Sequence, residues 1–334
     1  MKKGFLTLKR LTERKRKGWI ATLWLGLILI LLVALGVWSP PSQVVNNGST
    51  PATVSEPKNS VPNVSESTDV QPKQPEPGRI HTTEGMEVHF LDVGQGDSVF
   101  IDIPEGPKLL IDGGDREQGA TVVKHLQELG IERLDYLIAT HPHADHIGGL
   151  PEVIENFDIG QVFMPKVSHT TVSFEKLLRA IKEKGLKIQS AKAGVTLAQG
   201  EYGHIAFLGP LRDYGEELNN WSAILKVTYF GQELLLMGDA EREVESELLV
   251  RYPDLSADIL KVGHHGSYTS SINEFLDQVK PGYAIVSSGA GNSYGHPHEA
   301  TLKKVRKRGI QILRTDLEGT IVFNVTKDGI NLKN

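Results

Sequence analysis

The hydropathy of this chain changes character twice. Trp19 to Trp38, WIATLWLGLILILLVALGVW, is a run of 20 residues without a charge. As a helix it would span roughly 30 Å, the thickness of a bilayer's hydrocarbon core. Trp19 and Trp38 stand at its two ends, where indole rings favour the membrane interface. Residues 39–84 lack apolar periodicity and hold eight of the 17 prolines, among many Ser, Thr, Asn and Gln. That composition predicts a disordered, fairly extended tether. Residues 85–334 then alternate apolar and amphipathic segments without an internal repeat, as one domain of 250 residues.

Within that domain the period of the pattern predicts the elements. MEVHFLDV (86–93), DSVFIDIP (97–104) and KLLIDGG (108–114) read as strands joined by glycine turns. TVVKHLQEL (121–129) has helical spacing, and LDYLIATH (134–141) is an apolar strand. SFEKLLRAIKEKG (173–185) opens on a serine cap and ends in glycine, as a helix does. ILKVTYFGQELLLMGD (224–239) folds back near Gly231 as a hairpin, and EREVESELLVRY (241–252) is helical. DILKVGHHG (258–266), YAIVSSG (283–289), QILRTD (311–316) and GTIVFNV (319–325) close the series as strands. Two rounds of strands with interspersed helices predict an α+β fold, an αββα sandwich of sheets packed between helices.

Charge orients the chain. Residues 1–18 carry eight Lys/Arg and one Glu, a net of +7, directly before the apolar span. The positive-inside tendency puts this end in the cytoplasm and everything after Trp38 outside, as a single-pass cell-membrane protein. A cleaved secretory leader is the competing reading. The span is longer than the usual leader core of about 7–15 residues, and GVWSPP (36–41) lacks a small-x-small cleavage site. Residues 85–334 hold 25 basic and 35 acidic residues, a net of −10. An acidic domain binds polyanions poorly through charge alone. The chain has no cysteine, so any metal must be held by His, Asp or Glu.

Such residues are concentrated. His141-Pro142-His143-Ala144-Asp145-His146 places four potential ligands in six residues, on a loop leaving an apolar strand. His264-His265-Gly266-Ser267 follows a second apolar strand, and His296-Pro297-His298 follows a glycine-rich turn. Seven of the 12 histidines lie in these three clusters. Asp239 ends the apolar run LLLMGD; it either bridges cations with its two oxygens or caps the helix after it. Imidazole and carboxylate together suit Zn²⁺, Mn²⁺ or iron. Two such ions about 3.5–4 Å apart can share a hydroxide, polarise a target and stabilise its leaving oxygen.

The order His141-x-His143-x-Asp145-His146, then Asp239, then His264 resembles the metallo-β-lactamase superfamily. Finer segments resemble the C-terminal domain of ComEC-type competence proteins and their stand-alone relatives: FLDVGQGDSVFI (90–101), THPHADHIGGL (140–150), NNWS (219–222), KVGHHGSYTSS (261–271) and NSYGHPH (292–298). The resemblance implies one or two divalent ions, Zn²⁺ foremost or Mn²⁺. It gives His141 and His143 to the first ion and Asp145, His146 and His264 to the second, with Asp239 bridging and Asp145 handling the proton of the attacking water. The family's usual further histidine before Asp239 has only His169 and His204 as candidates, neither in the usual context. NNWS takes that place, which puts Asn220 or Ser222 near the first ion. Asp92, Gln95, Asp97 and Asp112 are then expected to orient ligands, and His265, Ser267 and His298 to meet substrate or support the ligands.

The implied activity is metal-dependent hydrolysis by a metal-bound hydroxide, on a phosphodiester of nucleic acid or a nucleotide. The same centre also serves other esters, thioesters and lactams, and a non-catalytic DNA-binding, competence-related module is the third reading. One membrane span cannot form a DNA channel, so the competence function transfers by analogy alone.

Overall fold

The computed structural model describes residues 85–333; the basic segment 1–18, the span 19–38 and the tether 39–84 lie outside them. Among the described residues no helix is long and apolar enough to cross a membrane.

Alternation along the strands sorts side chains between two layers. On β1 (Met86–Phe90), Met86, Val88 and Phe90 face inward; on β2 (Val99–Asp102) and β3 (Lys108–Ile111), Ile101, Leu109 and Ile111 do the same while Phe100 and Leu110 turn outward. These strands join β4 (Arg133–Ile138), β5 (Asp158–Met164) and β6 (Ile188–Ser190). The second sheet comprises β7 (Thr196–Gly200), β8 (Gly203–Phe207), β9 (Leu225–Tyr229), β10 (Gln232–Leu236), β11 (Ile259–Lys261), β12 (Tyr283–Val286) and β13 (Gln311–Arg314). The hairpin of β14 (Ile321–Thr326) and β15 (Gly329–Lys333) returns to the first sheet, whose order is β15-β14-β1-β2-β3-β4-β5-β6. The second runs β13-β12-β11-β10-β9-β8-β7.

The inner faces share one apolar core, in which Phe90, Ile101 and Phe323 meet Phe207, Val227 and Leu234. Helices α1 (Gly119–Glu128), α2 (Ala144–Ile147), α3 (Leu150–Asn156) and α4 (Val172–Glu183) cover the outer face of the first sheet through Val122, Ile147, Leu150 and Leu177. The second is covered by α5 (Arg242–Arg251), α6 (Asn273–Val279) and α7 (Glu299–Arg306) through Leu248, Phe275 and Val305. The result is mixed α+β, two sheets between helical layers.

Two local expectations change. Thr171, not Ser173, caps α4: its hydroxyl accepts from the Phe174 N–H. The strand expected over 258–266 stops at Lys261, because His264, His265 and Gly266 take φ of 48°, 50° and 77°. A strand cannot continue through left-handed residues.

Candidate metal centre

The histidine and aspartate clusters meet at one edge of the sandwich, on the loops leaving β1, β3, β4, β10 and β11. Glycine lets the loops close. A Cβ on Gly96, which has φ +137°, would sit 2.1 Å from the Asp145 carbonyl oxygen. That backbone is held where it is by the Asp97 N–H, which donates to the same oxygen at 3.2 Å. Gly238, at φ +51°, turns β10 so that the buried Asp239 faces the centre.

Hydrogen bonds select which nitrogen each ring presents. Asp112 Oδ2 accepts from His146 Nδ1 at 2.8 Å and from the Thr140 hydroxyl at 2.6 Å. With its proton committed to Asp112, the Thr140 oxygen accepts from His141 Nδ1 at 3.1 Å. His265 Nδ1 donates to the Ser287 carbonyl at 3.0 Å. His141, His146 and His265 therefore all turn Nε2 lone pairs inward.

Those lone pairs converge on Asp239. Its Oδ1 lies 3.3 Å from His146 Nε2, and its Oδ2 lies 3.4 Å from His265 Nε2 and 3.7 Å from His141 Nε2. Asp145 Oδ2 is 3.4 Å from His265 Nε2, and His143 Nδ1 is 3.0 Å from His141 Nε2. Two groups result: His141, His143 and Asp239 on one side, and His146, His265, Asp239 and Asp145 on the other. Asp97 also lies within 4.8 Å of the second group. It faces the Nδ1 side of both rings, however, at 3.9 Å from His146 and 3.4 Å from His265, and its Oδ2 meets Lys261 Nζ at 2.5 Å. Asp97 supports the rings from behind.

Divalent cations fit this centre. His146 Nε2 and His265 Nε2 face each other at 3.3 Å, a repulsive contact for two lone pairs unless positive charge lies between them. Asp239 Oδ1 is buried and has no hydrogen-bond partner among the described residues. Burial opposes charge on His146, but Asp239, Asp112 and Asp145 outweigh it and hold the imidazole well above its usual range. His265 is held high in the same way by Asp239, Asp145 and Asp97. Burial would raise the Asp239 carboxyl, yet His265 and His146 bring it well below the carboxylate range. His141 is pushed well down by burial and by His146, so its imidazole is neutral.

The other residues singled out in the sequence take the following places. His265, not His264, closes the second group. The left-handed turn sends the His264 ring to Glu241 Oε1 at 3.0 Å and Thr269 Oγ1 at 3.0 Å, leaving its Nε2 3.9 Å from Asp239. Asp239 caps no helix; α5 begins after Glu241 without a side-chain cap. Asn220 fastens the start of α5, accepting from the Glu241 N–H and donating to Glu243 at 3.2 Å. Ser222 accepts from the Asp239 N–H at 2.9 Å. Asp92 is exposed and closes a turn at Gly94, and Gln95 accepts from the Gly289 N–H. Ser267 fastens Thr269, and His298 accepts from the Tyr268 N–H at 3.2 Å.

Two residues beside the centre carry weaker signals in the sequence. Lys261 lies two positions from the core residue Ile259 on β11, and so shares its inward face; a charge in an inward register was the available signal. His169, discounted for its polar context, has its ring 6.2 Å from that of His143.

The profile of the metallo-beta-lactamase superfamily matches residues 91–290. ComE operon protein 3 of Bacillus subtilis (strain 168) is 35% identical over 259 residues, covering 72% of this chain and 33% of that protein. Competence protein ComA of Neisseria gonorrhoeae is 34% identical over 245 residues, covering 73% of this chain and 33% of that protein. The chain thus spans about a third of the length of these relatives. Among solved structures, the metallo-beta-lactamase fold protein YhfI of Bacillus subtilis superposes with a TM-score of 0.47 at 13% identity, covering 69% of this chain and 95% of that one.

Proposed function

This chain belongs to the metallo-β-lactamase superfamily, a metal-dependent hydrolase family, and from that premise we propose that it hydrolyses phosphodiesters of nucleic acid or nucleotides. The observation that carries the reading is the convergence of three Nε2 lone pairs on the buried Asp239 carboxylate, with further ligands on either side of it. His141, His143 and Asp239 would hold one divalent ion, and Asp145, His146, His265 and Asp239 a second, Zn²⁺ or Mn²⁺. When bound, such ions supply Lewis-acid polarisation and a water of lowered pKa.

The chain's own residues do the rest. Asp112 fixes the His146 ring, and Thr140 relays that fixing to His141. Asp145 is the least buried carboxylate of the two ligand groups, with 29% of its side chain exposed. Burial would raise its pKa, but His146 and His265 more than offset this, so it is ionised and can accept the proton of an attacking water. Lys261 neutralises Asp97 beneath the centre. The acidic domain, net −10 over residues 85–334, gives a phosphodiester no general attraction. Recognition of its anionic oxygens is therefore assigned to the metal centre.

The phosphodiester reading draws on the competence proteins among the relatives. Its test is a panel of bis-p-nitrophenyl phosphate, linear DNA, a thioester and nitrocefin, each with Zn²⁺, with Mn²⁺ and with chelator. Chelator-sensitive hydrolysis of the first two supports it; turnover of only the thioester or lactam, or of none, removes it. We also assign the chain to the cell membrane, anchored by 19–38 with the hydrolase domain outside.

A further inference from the structure

A chain of rings leads out of the metal centre. The His296 ring centroid lies 6.0 Å from that of His265 and 5.3 Å from that of His264. Tyr294 stacks on His296 at 5.7 Å with an interplanar angle of 20°. On the other side His298 lies 4.9 Å from His296, and Tyr268 packs edge-on to His298 at 4.9 Å. Both tyrosines are mostly exposed, Tyr294 at 65% and Tyr268 at 61%. Exposed aromatics on free loops need no explanation, but these loops are pinned. The Asn292 side chain accepts from the Tyr294 and His296 N–H groups and donates to the Gly289 and His296 carbonyls. The Tyr268 N–H donates to His298, whose own N–H donates to the Gly266 carbonyl. A large ring face, held rigid and wet beside an anion-binding centre, is a ready stacking surface.

Charge sets the size of what stacks there. Neither loop, 262–272 nor 287–298, contains a lysine or arginine. The two cations that lie against the first loop, Arg242 and Lys304, are engaged by its own carbonyls at Tyr268, Thr269, Ser270 and Ser271, so a duplex or long strand would find no lysine or arginine of these loops to hold its further phosphates. From this we propose that Tyr294, braced by His296, is a specificity residue that stacks the base of a nucleoside phosphodiester or of a strand end while its phosphate lies at the metal centre. The proposal rests on the phosphodiesterase reading above and names its substrate class.

The test compares two esters with one leaving group, thymidine 5′-(p-nitrophenyl phosphate) and methyl p-nitrophenyl phosphate, on the metal-loaded full-length protein. Base stacking on an aromatic side chain is worth about fivefold or more per base in binding. Tyr294→Ala should lower the ratio of kcat/KM for the thymidine ester to that for the methyl ester by about that factor, and Tyr294→Trp should restore it. An unchanged ratio overturns the proposal. Equilibrium binding of thymidine 5′-monophosphate against inorganic phosphate gives a second readout that does not need turnover. Selective loss of the nucleotide in Tyr294→Ala supports stacking, and an equal effect on both ligands overturns it. If neither ester is hydrolysed by the parent protein, the phosphodiesterase reading fails, and the binding comparison alone decides the stacking site.

Discussion

Lys261 Nζ lies 2.5 Å from Asp97 Oδ2, with both side chains almost fully buried at the floor of the metal centre. Burial would raise the Asp97 carboxyl, and Lys261 is the first of the groups that reverse this and hold it below its usual range. The ammonium also donates to the Gly238 carbonyl at 3.2 Å, next to Asp239. One buried cation therefore ties the loop bearing Asp97 to the loop bearing Asp239. Lys261→Met would break a buried ion pair and take from Asp97 its nearest cation, which costs about 3–5 kcal/mol. Lys261→Met with Asp97→Asn should recover much of that. Denaturant unfolding of the single and double variants checks the pairing; equal stability of Lys261→Met and the parent protein would show the pair to be idle.

His264 and His265 are neighbours with opposite expected phenotypes. His265→Ala removes an Nε2 that faces Asp239, Asp145 and His146, so the protein should lose bound metal and most of its activity. His264→Ala removes a partner of Glu241 and Thr269 and should leave the metal content unchanged. Metal analysis after gel filtration decides between them, and metal loss in His264→Ala alone would reverse the assignment.

Glu245 predicts a pH dependence away from the metal. Its carboxylate is buried under α6 and accepts from the Ser271 and Ile272 N–H groups at 2.6 and 2.8 Å. Burial raises its pKa to about 7, against those two bonds and the charges of Lys304 and Arg242. The folded state then binds more protons at this site than the unfolded state, whose pKa is near 4.5. That contribution is fully present below about 4.5 and is lost as pH rises through about 7. Between those values the slope is at most about 1.4 kcal/mol per pH unit. The Tm difference between parent and Glu245→Gln should therefore change between pH 5 and pH 8, in the sense that the parent loses more. Parallel Tm curves would contradict it.

The membrane assignment has its own test. Protease added to intact protoplasts should release the hydrolase domain by cutting within 39–84. Protection of the domain until lysis would place it in the cytoplasm.

The sandwich was legible because period-two alternation survives in β1, β2, β9 and β10, whose inner faces form the shared core. The short strands β6 and β7 and the helices α3 and α6 were not, since three to seven residues carry too little pattern. For the centre, His141, His143, His146 and Asp239 could be named because they crowd the ends of apolar strands. The choice between His264 and His265 could not, because it depends on a left-handed turn that no local pattern announces. Asp97 and Lys261 became a pair only when the loop after β1 met the end of β11, distant in sequence.

Asp239 is the residue on which both ligand groups depend, and Asp239→Asn keeps its size while removing the charge. The decisive measurement is metal content by mass spectrometry beside the rate on bis-p-nitrophenyl phosphate. Bound metal should be lost together with rate, since the substitution takes away the anion between two cations. Removing a pure proton-transfer group would instead cost about 10²–10⁴-fold in rate with metal retained. Full metal occupancy with near-normal hydrolysis in Asp239→Asn would contradict the two-sided centre.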